Sequence, residues 1–157
     1  MNTEDQNFLS RAIQLARENV LQGGGPFGAV IVKAGKVVAE SANQVISIPD
    51  PTAHAEVQTI RLAAGNLKTF DLSGTTLYTS CEPCPMCLGA VYWSRISRVV
   101  YASDRHDAEL AGFRDAELYL EIALDPEKRG TPFDQIDVPE KGMEFIDWKN
   151  SEIKLDY

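Results

Sequence analysis

The sequence predicts an α/β fold in which helices cover a sheet, and three observations carry that prediction. Apolar residues recur at helical spacing near the N-terminus. Two β-prone runs then follow around a short turn, and strand-like and helix-like segments alternate through the middle of the chain.

The elements follow in order. From about Glu4 to Leu21, Phe8, Ala12, Leu15, Ala16 and Val20 fall at helical spacing, and Gly23-Gly24-Gly25 ends the helix. "FGAVIVK" and "VVAESAN", joined by "AGK", read as a hairpin whose nearly all-apolar first strand is buried on both faces. "ISIPDPT" is a proline-punctuated loop, after which Thr52 is read as the N-cap of a helix carrying Val57, Ile60 and Ala64 and stopping at Gly65. "TTLYTS" reads as a strand, Pro85 to about Trp93 as a helix and "SRVVYAS" as a further strand, an alternation that argues for parallel pairing. Asp104 to Phe113 reads as a polar loop, "DAELYLEIAL" as a helix and "DPEKRGTP" as a breaker-rich connection. The tail beyond Gly142, with Phe145, Ile146 and Trp148, is too apolar to read as disorder.

Length and composition bound the function. A chain of 157 residues with 44% hydrophobic content suits one domain, residues 1–157, with a core able to fold unaided. A net charge of −8 argues against a polynucleotide partner, because phosphate backbones are held chiefly by clustered Lys and Arg. Three cysteines, an odd and closely spaced set, exclude a disulfide framework, and no signal-like segment opens the sequence, so the expected location is the cytoplasm. The longest apolar runs fall far short of the roughly 20 residues that span a bilayer.

All three cysteines lie in "TSCEPCPMCLGAV", at Cys81, Cys84 and Cys87. An iron–sulfur cubane usually takes four cysteines. A structural zinc knuckle would need a fourth ligand from a distant histidine, and a redox dithiol gives no use for the upstream "HAE". His54-Ala55-Glu56 together with Pro83-Cys84-Pro85-Met86-Cys87 is instead the paired H-x-E and P-C-x-x-C pattern of zinc deaminases. Pro85 suits the first helical position, which makes Cys84 the N-cap and sets both thiols near the positive end of a helix dipole, where thiolates are favoured. His54 falls in the first turn of its own helix. Three protein ligands leave the fourth tetrahedral position to water, and Glu56 is the group that takes that water's proton. Cys81, at a strand end, reads as a small core residue.

The motifs "GGPFGAVIVK", "DPTAHAE", "LYTSCEPCPMCLGA" and "AGFRDAELYLEI", with the terminal Tyr157, make the chain similar to the cytidine and nucleobase deaminase superfamily, and most like the small bacterial guanine deaminases. The resemblance covers nearly the whole chain. It implies a three-layer α/β/α sandwich with a five-stranded mixed sheet, one Zn2+ per subunit, a purine base as substrate and a homodimer with an exchanged C-terminal segment. It implies hydrolysis of guanine at C2 to xanthine and ammonia. By the same resemblance His54, Cys84 and Cys87 are zinc ligands, and Glu56 and Asp115 are catalytic. Asn43, Phe27, Ala55, Trp93 and Tyr157 are the residues that bind or enclose the base. Arg114 departs from the family pattern, in which a smaller or acidic residue precedes the aspartate.

The residues alone leave alternatives open. Asp115 also suits the first turn of a helix, Asn43 a turn after a strand and Phe27 an apolar core. A tRNA adenosine deaminase would share the zinc motifs but call for a basic face, and a non-catalytic zinc scaffold would have no use for Glu56.

Overall fold

The computed structural model describes residues 3–155. Along the chain it has α1 (Thr3–Leu21), β1 (Gly28–Lys33), β2 (Lys36–Ala42), α2 (Ala55–Leu67), β3 (Thr75–Cys81), α3 (Pro85–Trp93), β4 (Arg98–Ser103), α4 (Arg105–Leu110), α5 (Asp115–Ile122), a single 3-10 turn (Pro126–Lys128) and α6 (Met143–Asn150). The mixed sheet has the order β2-β1-β3-β4, with β1 antiparallel to both neighbours and β3 parallel to β4 across the α3 crossover.

Alternation along the central strands makes the layers. Ala29 and Ile31 of β1 and Leu77 of β3 join a core with Ala55 and Ala63 of α2 and Val91 of α3. Val30, Val32 and Tyr78 point the other way, onto Ala12, Phe8 and Leu15 of α1. Strand β1 is therefore buried on both faces, as its apolar run predicts. Glycine at position 28 lets α1 press onto the sheet, since a Cβ there would strike the Ala12 carbonyl and the Ala16 amide. Polar ties fix the helix at its two sides. Asp5 receives both Arg98 nitrogens at 2.9 Å and the Tyr78 hydroxyl at 2.7 Å, while Arg11 forks onto Glu40 of β2.

Four expectations are corrected. The sheet has four strands among the described residues, not five: after β4 the chain turns helical, and the later β-formers Phe133, Ile136 and Val138 are interrupted by Asp134 and Asp137 and flanked by Pro132 and Pro139. The segment after Asp104 is not a loop. Its carboxylate accepts from the amides of His106 and Asp107, and Asp107 returns the bond in a capping box that starts α4. Thr52 is not a helix cap, because its hydroxyl and amide are both spent on Asp50 at 2.7 and 2.8 Å, and the cap falls to His54. Helix α2 also runs past Gly65 to Leu67, where Lys68 takes the left-handed closing conformation.

Beyond α5 none of the described residues is buried. No residue of α6 is buried, and Phe145 and Ile146 are exposed. No helix among the described residues is long and apolar enough to cross a membrane.

Candidate metal centre and base pocket

Two helix N-termini converge on one point. His54 is the N-cap of α2 and Cys84 the N-cap of α3, both in extended backbone and neither making a side-chain cap hydrogen bond, and the ring and the thiol meet between the two helix starts. Pro85 opens α3 as expected, and Cys87 follows at its third position. The His54 Nδ1 lies 3.6 Å from Cys84 Sγ and 3.6 Å from Cys87 Sγ, and the three ligand atoms fall within 4.8 Å of one another.

These distances test the fit to zinc. Tetrahedral bonds of about 2.3 Å to sulfur and 2.0–2.1 Å to nitrogen require an N···S edge of about 3.5 Å, which the observed edges match. Cys81 stands outside the group: it is buried, and its thiol points to the Asp104 carbonyl at 3.5 Å. Burial pushes that thiol up to about 12, a poor ligand. The electrostatics of the other two differ. Cys84 is held well below an ordinary thiol by the Cys87 thiol and by His54, whereas Cys87 is pushed up by its partner and by burial. His54 is in turn raised, chiefly by its bond to Cys84.

Glu56, one residue past the first helical position of α2, enters the site from behind. It is 4% exposed, its Oε1 accepts from the Thr79 hydroxyl at 3.3 Å and its Oε2 from the Cys87 thiol at 3.5 Å. Desolvation raises its pKa, so it holds a proton more readily than a surface carboxyl. Asp115, the first residue of α5, stands in the opposite wall and is raised by burial and by the Cys84 charge.

Between them is a cavity of about 210 Å³. His54, Glu56, Cys84 and Asp115 line it together with Asn43 and Phe27, so with Cys87 of the metal group seven of the ten residues named from sequence meet at one site. That volume is small beside the roughly 300–1,000 Å³ of drug-sized pockets and suits a bare base better than a nucleotide. The Asn43 Oδ1 accepts the Val45 amide at 3.2 Å, which leaves its NH₂ as the donor for a ligand. Asn19 on α1 bonds the carbonyls of Gly25 and Asn43, each at 2.8 Å, and so ties together the two loops at this edge.

The Ala55 methyl is fully buried in the core, Trp93 ends α3 at 69% exposure and does not line the cavity, and Tyr157 lies outside the described residues. Arg114 is directed toward solvent, 4.0 Å from Glu117. Sequence reasoning missed Glu82 and Phe113, both in the cavity wall. Phe113 packs edge-on against Phe27 with centroids 4.8 Å apart. An aromatic residue two positions before a candidate acid was the available signal.

Comparison with known proteins agrees with this geometry. Residues 2–103 match the family model of the cytidine and deoxycytidylate deaminase zinc-binding region. The chain is 50% identical over 153 residues to the guanine deaminase of Bacillus subtilis (strain 168), covering 97% of this chain and 98% of that protein. The X-ray structure of guanine deaminase from Bacillus subtilis superposes with a TM-score of 0.95 over 100% of this chain and 99% of its own. The tRNA-specific adenosine deaminase of Buchnera aphidicola subsp. Baizongia pistaciae is 43% identical over 103 residues, 66% of this chain and 64% of that protein.

Two outcomes follow. Metal analysis will find zinc retained in Cys81→Ala and lost in Cys84→Ala; the reverse pattern would put the centre elsewhere. The raised pKa of Glu56 means that the folded, zinc-stripped protein keeps a proton that the unfolded chain releases, so this group costs stability as pH rises from the unfolded value of about 4.3 toward the folded one. Glu56→Gln therefore melts above wild type at neutral pH in the zinc-stripped form, with the gap closing toward about pH 4.

Proposed function

The chain belongs to the cytidine and deoxycytidylate deaminase zinc-binding family, and from that premise we propose that it hydrolyses guanine at C2, giving xanthine and ammonia. One observation carries the choice of substrate. Similarity to the Bacillus subtilis guanine deaminase runs through the segment bearing Phe113 and Asp115, whereas the tRNA-specific relative matches only about two thirds of the chain. The small cavity and the charge of −8 favour an uncharged base over RNA.

His54, Cys84 and Cys87 would hold zinc, which supplies a nucleophile at neutral pH by making water easier to deprotonate. The remaining work belongs to the chain. Glu56, buried and already inclined to carry a proton, takes one from the attacking water and passes it to the ring nitrogen beside C2; it then takes the second from the new C2 hydroxyl and gives it to the amine, which leaves as ammonia when the C2–N bond breaks. Asp115, across the cavity, receives the exocyclic amine and helps the proton to it. Asn43 donates to the acceptor edge of the base, and Phe27 with Phe113 forms an apolar wall that limits entry of water. A base with different donors and acceptors would leave buried polar groups unpaired, and that penalty gives selectivity.

The active form is a homodimer in this reading. Support comes from α6 and the tail around it, whose Phe145, Ile146, Ile153 and Leu155 are exposed among the described residues. Exchange of this segment between two copies would cover them and bring further side chains to each site. Three free thiols suit a reducing compartment and hence the cytoplasm.

Ammonia release from guanine, guanosine, cytosine, cytidine, adenine and a tRNA anticodon stem tests the substrate. Guanine alone is expected to react in the zinc-loaded protein, and turnover confined to the RNA would replace this reading with tRNA deamination. Glu56→Gln should keep zinc and lose roughly 10²–10⁴-fold in kcat; near-normal turnover would remove Glu56 from the mechanism. Sedimentation equilibrium should give twice the chain mass, and a monomer with full activity would end the dimer proposal.

A further inference from the structure

Helix α5 carries Asp115, yet none of its residues is buried and its start has no side-chain cap bond. Something other than the core must hold it in place. Tyr119 lies four residues after Asp115, one turn along the same helix face. Its hydroxyl donates to the Pro83 carbonyl at 2.8 Å, and its ring lies 3.8 Å beneath the Arg105 guanidinium.

Arg105 continues the connection. Its Nε and Nη2 reach the Glu82 carboxylate at 3.0 and 2.5 Å, and its own amide reaches the same carboxylate at 3.1 Å. The Glu82 amide is bonded to the Ser103 carbonyl at 2.8 Å, at the end of β4. Glu82 and Pro83 immediately precede the ligand Cys84, and Glu82 lines the cavity. The helix that carries the second acid is thus fastened to the stretch that carries a metal ligand, through contacts landing on two adjacent residues.

We propose that Tyr119, Arg105 and Glu82 form a latch that sets the distance between Asp115 and the metal centre, acting as positioning residues for the deamination reaction. A lone exposed ion pair would hold little. Here the Glu82 side chain is only 17% exposed, and a two-pronged guanidinium, a stacked ring and a backbone bond act together. Placement of this kind governs rate because proton transfer needs its partners within hydrogen-bond reach. The role given to Asp115 rests on the function proposed above; the latch itself does not.

The test is a double-mutant cycle in the full zinc-loaded chain. Arg105→Gln is expected to lower kcat for guanine roughly tenfold, the scale of lost outer-shell contacts, while zinc content stays unchanged. In an Asp115→Asn background the same change should alter kcat by less than about twofold, because the positioned group is gone. Equal losses in both backgrounds, no loss in either, or loss of zinc would overturn the proposal. Tyr119→Phe, which keeps the ring under Arg105 and removes only the bond to Pro83, repeats the cycle should Arg105→Gln fail to fold. Hydrogen exchange separates the latch from the substrate reading. Tyr119→Phe should hasten exchange across residues 115–122 and leave α2 unchanged, whether or not guanine reacts; unchanged exchange in α5 would also overturn the latch.

Discussion

Everything at the site depends on two helices beginning at the same place while giving up their own caps. A side-chain cap stabilises a helix start by about 0.5–2 kcal/mol. Neither His54 nor Cys84 supplies one, and the side chains freed in this way face each other 3.6 Å apart. The sheet makes this meeting possible. Strands β1 and β3 lie side by side in the middle of the sheet and send Ala29, Ile31 and Leu77 to one face, where α2 packs, while α3 follows β3 in the parallel crossover. Both helix starts are thereby brought to one end of the sheet, where ligands of α/β folds usually bind.

A second cost is the carboxyl kept out of water. Glu56 has a Thr79 hydroxyl and a Cys87 thiol for company, partners too weak to offset the loss of hydration for its charged form. Its proton affinity is therefore raised, which is the property a proton carrier needs. Stability and chemistry pull in opposite directions at this residue, and the surrounding β1 and β3 core bears the difference.

The metal ligands and Glu56 were legible in the sequence because their spacing is local: a proline fixes where α3 begins, and two residues of offset across a helix start leave few geometries. The layered arrangement was legible for the same reason, through the alternation in β1. What escaped reading is held by distant partners. Glu82 belongs to the site because Arg105, 23 residues on, grips it, and Phe113 because it meets Phe27 across the sheet end. Helix α4 is only six residues long and polar, so its hydropathy carries no helical period and the capping box of Asp104 and Asp107 was passed over, while the fifth strand was expected by resemblance alone. Thr52 had the right chemistry for a cap, and Asp50 claimed it first.

The cavity's two walls come from different stretches of chain. His54, Glu56 and Cys84 belong to the part that packs the sheet, whereas Phe113 and Asp115 ride on a segment that buries little and is held by side-chain ties. Such a division of labour lets the Phe113 wall change without reopening the sheet core. New substrate preferences can be reached by rebuilding the short α4–α5 connection, while Asp115, Tyr119 and Arg105 stay in place to keep the reaction geometry.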